Sequence, residues 1–69
     1  MNKDLKWKEL NTMELKTLEL IHEGLSNNLI SVRLNRAETT IKNYINGVYR
    51  KLDITGRVLI ALYYERNVV

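Results

Sequence analysis

Between Glu38 and Leu52 the chain reads ETTIKNYINGVYRKL, and five of those residues have the chemistry to engage an anionic partner: Thr39, Lys42, Asn43, Asn46 and Arg50. Lys and Arg neutralise phosphates. Asn carries an acceptor and a donor side by side, the pair that matches N7 and N6 on the major-groove edge of adenine. Steps of three, one, three and four put these five on one side of an α-helix. Ile41, Ile45, Val48 and Leu52, at steps of four, three and four, fall on the opposite side. A helix dry on one side and cationic and amide-bearing on the other suits a groove of nucleic acid. The same pattern also describes an amphipathic helix whose polar side is merely solvated, so the rest of the chain has to decide.

Other chemistries find little support. There is no Cys and a single His, His22, so neither a thiolate nor a His-based metal site is expected, and no disulfide can staple the fold. No Gly-rich phosphate loop is present, and so small a core leaves no room for a ligand pocket of ~300 Å³. We therefore expect no enzyme, no cofactor or metal and no small-molecule ligand. No apolar run approaches the ~18 residues of a membrane span, and the N-terminus lacks the apolar core of a signal peptide. The expected location is the cytoplasm, away from membranes.

Sixty-nine residues suffice for one small domain, whose core supplies only ~3–5 kcal/mol. Oligomerisation is the expected extra source of stability. A hydrophobic content of 45% with no Pro and three Gly favours an all-helical fold. The net charge is +3, and it is unevenly spread. Residues 33–57 hold Arg33, Arg36, Lys42, Arg50, Lys51 and Arg57 against only Glu38 and Asp53, whereas residues 1–32 are slightly acidic. The positive charge gathers on and beside the candidate recognition helix, which points to an anionic partner.

The elements that must position that helix can be read along the chain. Residues 1–9 are a polar lead-in expected to fray, with Trp7 packing on the domain edge or on a second copy. A first helix over residues 12–23 is capped by Asn11 or Thr12, carries Glu14 near its positive end, buries Leu18 and Ile21, and stops at Gly24. His22 sits near its C-terminus as an edge residue. Ser26 caps a short second helix, residues 27–34, with Ile30 and Leu34 facing inward. Asn35-Arg36-Ala37 then makes a tight corner into the third. Two helices joined by three or four residues, the second basic and amphipathic, form the helix-turn-helix pattern. A last helix, capped by Thr55, runs from Gly56 to about residue 64–66 and is apolar nearly all round. Val58, Leu59, Leu62 and Tyr63 are its expected contacts with an identical helix across a two-fold axis. Glu14 and Arg57 are expected to pair across the fold.

The segments Gly24-Leu25-Ser26-Asn27, Thr40-Ile41-Lys42 and YRKLDITGR (residues 49–57) stand at fixed, ungapped separations. With them, Leu10 to Arg57 resembles the DNA-binding domain of the LuxR/FixJ/NarL (GerE-like) regulators. The resemblance implies an all-α, four-helix domain over residues 10–66. Its helix-turn-helix would span about 26–45, its recognition helix about 38–52 and its dimer helix about 56–66. It implies base contacts from Lys42, Asn43 and Asn46, and phosphate contacts from Thr40 and Lys51, to which the reading of the residues adds Arg36, Thr39 and Arg50. The expected function is a free-standing bacterial or phage transcription regulator, binding double-stranded DNA as a homodimer. The alternative is an interaction protein that pairs with a full-length LuxR-family regulator and modulates it.

The chain departs from the family pattern at several places. Leu29 stands where a Glu would complete a capping box, and Ala37 replaces a capping Ser. Arg36 replaces an apolar turn residue, Tyr44 a His, Met13 an Arg. Gly47 replaces an Asn, at ~1 kcal/mol against Ala in a helix interior.

Overall fold

The longest helix, α3 (Glu38–Leu52), buries the stripe its spacing requires: Ile41, Ile45, Val48 and Leu52 are all withdrawn from solvent. The computed structural model describes residues 3–69, and every regular element among them is helical. A 3-10 helix, Lys6–Glu9, precedes α1 (Thr12–His22), α2 (Asn27–Leu34), α3 and α4 (Arg57–Asn67). Helix α1 packs on both α3 and α4, and α2 packs on α3. Each of the four sends at least one residue wholly out of solvent into a shared centre: Leu18, Ile30, Ile41 with Val48 and Leu52, and Ile60. Complete burial of one such side chain is worth ~1.5–3 kcal/mol, so this centre holds the four-helix arrangement together.

The helix ends follow local chemistry, and only the expected cap of α4 is corrected. Asn11, not Thr12, caps α1. Its side chain accepts from the Glu14 amide at 2.8 Å, and the Glu14 carboxylate accepts from the Asn11 amide at 2.9 Å, a complete capping box. Ser26 caps α2 by accepting from the Leu29 amide at 3.3 Å. Leu29 cannot return the bond and is exposed. Helix α2 ends at Asn35 with φ 56° and α3 ends at Asp53 with φ 57°, short polar residues that tolerate the left-handed region. Ala37 begins α3 without a side-chain cap, as its methyl requires. Thr55 does not cap α4. Gly56, at φ 132°, occupies the cap position one residue later, and no side chain serves the first-turn amides.

In the structure, residues 3–7 of the lead-in are bonded to the C-terminal end of the chain. The Asp4 amide donates to Asn67 Oδ1 at 2.7 Å, and Lys3 Nζ donates to the Val69 carbonyl at 2.9 Å. The Tyr63 hydroxyl accepts from the Trp7 amide at 3.1 Å and donates to Asp4 Oδ1 at 2.8 Å. Residues 1 and 2 of the expected lead-in lie outside the described residues. Trp7 packs half-buried against the core of its own protomer, with Lys8 Nζ 5.8 Å from its ring centroid. Its indole N–H is buried without a partner among the described residues.

Candidate nucleic-acid interface

The outer side of α3 is bare. Thr39, Lys42, Asn43, Asn46 and Arg50 are all exposed, and none of their side chains is bound to another group among the described residues. Lys42 and Asn46 also line a groove of about 260 Å³ with Asn27, Ile45, Tyr49 and Arg57, where α3 passes the starts of α2 and α4. Thr40 is half-buried on the flank. The three residues expected at bases therefore share one open face, with Thr39 and Arg50 at its two ends.

The helix behind that face is held from α1. Glu14, only 5% exposed, accepts from Lys51 Nζ at 2.7 Å as well as from the Asn11 amide. Burial alone would raise its carboxyl pKa. The bonds from Lys51 and the Asn11 amide, with the charges of Lys51 and Arg50, outweigh it and hold the pKa below the usual value. Gly47 lies against the same carboxylate, and a Cβ there would collide with Glu14 Oε2. The absence of a side chain at 47 is thus what admits the capping carboxylate of one helix to the backbone of another.

Several expected residues are differently employed. The Glu14–Arg57 pair does not form. Arg57 instead donates to Asn27 Oδ1 and to the Leu25 carbonyl, each at 2.6 Å, and fastens the start of α4 to the corner before α2. Lys51, expected at a phosphate, turns inward and commits its ammonium to Glu14. Arg36 stays exposed but folds over the end of α2, donating to the carbonyls of Leu34 at 3.3 Å and Asn35 at 3.1 Å, where a guanidinium complements the helix terminus. His22 Nε2 lies 2.7 Å from Glu65 Oε1, its ring 4.7 Å from that of Tyr64, so it joins α1 to α4. The Asn11-x-x-Glu14 spacing was the signal that could have found the capping box and the placement of Glu14. No local signal marks Lys51 or Asn27 as their partners' partners.

A model of the luxR family of bacterial regulatory proteins matches residues 8–64. The chain belongs to the LuxR family. It is 44% identical to the HTH-type transcriptional regulator MalT of Vibrio campbellii over 70% of its length, which is 5% of that protein. It is 38% identical to the transcriptional regulatory protein LiaR of Bacillus subtilis over 84% of its length, 28% of that protein. It is 37% identical to the DNA-binding transcriptional activator DevR/DosR of Mycobacterium tuberculosis over 78% of its length, 25% of that protein. The chain thus spans between a twentieth and about a quarter of these curated relatives. Within this LuxR domain α2, a three-residue corner and α3 follow in the order that a helix-turn-helix requires, and α3 carries the open polar face.

On α4 of the LuxR domain, Val58, Leu59 and Leu62 are 72%, 54% and 43% exposed. Leu59 and Leu62 border an apolar groove of about 330 Å³, completed by Ile54, Tyr63, Arg66 and Asn67. Tyr63, expected on the same surface, is 7% exposed and already bonded to Asp4 and Trp7. Tyr63 thus offers that groove only a small part of its surface, while its hydroxyl is held by the protomer's own N-terminal segment. No helix of the described residues is long and apolar enough to cross a membrane.

Proposed function

We propose that this chain is a DNA-binding transcription regulator that acts in the cytoplasm as a homodimer, seating α3 in the major groove. The observation that carries the reading is the polar face of α3. In a chain of the LuxR family, Lys42, Asn43 and Asn46 stand open, and unpartnered among the described residues, on the helix that follows the turn. Lys42, Asn43 and Asn46 contact bases, while Arg36, Thr39, Thr40 and Arg50 contact the phosphate backbone. Lys51 serves mainly through Glu14, by fixing the helix. Pairing through Val58, Leu59 and Leu62 sets two recognition helices about one helical turn apart on the duplex.

The test is a binding titration on duplex DNA over a range of salt. Arg36 and Arg50 from each of two protomers neutralise about four phosphates, so log K against log salt has a slope of about −4. An affinity that does not change between roughly 50 and 200 mM salt would remove this reading.

The exposed apolar strip on α4 also supports a second reading, in which the chain pairs with a larger regulator of the same family and modulates it. Capture of such a regulator, lost on Leu59→Glu and accompanied by no DNA binding of the chain alone, would favour it.

A further inference from the structure

We propose that the DNA this chain selects is defined by two adenines and a guanine clustered within about four base pairs of each half-site, the adenines read by Asn43 and Asn46 and the guanine by Lys42. The inference rests on the DNA-binding reading above and adds the chemical identity of the target. Asn43 and Asn46 are exposed and their amides are bonded to nothing among the described residues, so both keep a donor and an acceptor for a base. Among the base-pair edges only adenine offers an acceptor and a donor side by side in the order that one Asn amide satisfies with two bonds. Thymine offers one acceptor and a methyl, cytosine one donor, guanine two acceptors.

Position supports the count. Asn43 and Asn46 are three residues apart, about 4.5 Å along the helix axis, close to the ~3.4 Å rise of one base-pair step. They therefore address neighbouring or next-neighbouring pairs rather than one pair twice. Lys42 lies about one turn from Asn46 on the same face, an ammonium with three donors and no acceptor, which selects the O6 and N7 acceptors of guanine. No carboxylate occurs between Glu38 at the start of α3 and Asp53 at its end, so the face carries no charged acceptor for a cytosine amino group, and an Asn amide placed on cytosine would make one bond instead of two.

The experiment is selection of duplexes from a random library by the full chain, followed by competition titrations at fixed salt. The expected motif contains a G and two A within a four-base-pair window, on either strand. Replacing either adenine pair by G·C weakens binding ~5- to 150-fold. In Asn43→Ala the preference at one adenine falls to near unity, and in Asn46→Ala it falls at the other, while the salt slope is unchanged. Both positions are exposed, so the variants keep the parent melting temperature. As a check that needs no variant, 7-deazaadenine at either position removes the N7 acceptor. It weakens the parent and leaves unaffected the variant that lacks the matching Asn. A selected motif without the paired adenines overturns this inference while leaving the DNA-binding reading intact, as does one whose adenine preference survives both substitutions. Failure to bind any duplex at low salt overturns both.

Discussion

The carboxylate of Glu14 in α1 lies against the backbone of Gly47 in α3, closely enough that no Cβ fits between them. The same carboxylate closes the cap of α1 and accepts from Lys51. Three residues from two helices therefore set how deeply α3 sits in the fold, and with it the height of Lys42, Asn43 and Asn46 above the surface.

A methyl group at position 47 tests that arrangement. Gly→Ala inside a helix normally gains about 1 kcal/mol. Here the Cβ must expel the Glu14 carboxylate from its cap and ion pair, so Gly47→Ala destabilises by ~1–2 kcal/mol. In a Glu14→Ala background the same substitution stabilises by about 1 kcal/mol. Urea unfolding of the four proteins of this double-mutant cycle measures the coupling, and additive effects would disprove the contact.

Acid stability follows from the same carboxylate. Its pKa is held down in the folded protein, so its contribution is complete above the unfolded carboxyl value of ~4.3. That contribution is lost as pH falls through the lower folded value. Lys51→Met removes the main group that lowers it. The variant loses ~2 kcal/mol at neutral pH, and its acid transition begins at higher pH. Melting temperatures followed by circular dichroism from pH 7 downward check both expectations.

Tyr63 makes an alkaline counterpart. Burial, and the hydrogen bond to Asp4, push its hydroxyl pKa up to about 12. A folded-state value above the unfolded ~10 means stability that is full below pH ~10 and lost as pH rises through the folded value. Tyrosinate absorbance should show one late-titrating group near that pH. Tyr63→Phe should abolish that late step and cost about 1 kcal/mol, because the Trp7 amide and Asp4 lose their partner.

The bare strip on α4 predicts a dimer that charge disrupts. Leu59→Glu, at a residue more than half exposed, leaves the helical content and the monomer fold intact. Sedimentation velocity should show the parent as a dimer and this variant as a monomer. DNA affinity should fall with it, since two half-sites then no longer bind as one unit.

Local pattern carried most of the architecture and the exposed face. The apolar steps of α3, the Asn11 and Ser26 caps and the stop at Gly24 each depend on residues within a turn or two of one another, where spacing is informative. Tyr63 shows where that ends. In α4, a helix apolar almost all round, periodicity does not say which side is inward. The residues that bond to the Tyr63 hydroxyl, Asp4 and Trp7, stand 59 and 56 positions away. Lys51 is similar: its charge is visible, but its inward direction depends on Glu14, 37 residues earlier. Gly47 read as a weakness in its own helix, and its reason lies on a neighbouring one.

The strap formed by residues 3–10 has an optical consequence. Trp7 is the sole indole of the chain and sits where that strap meets the body, its N–H shielded from water. Its fluorescence therefore reports the seating of one segment rather than the state of the whole. If the strap lifts before the helices melt, emission will shift red at a lower denaturant concentration than the ellipticity falls, and the gap between the two midpoints measures how independently that end can open.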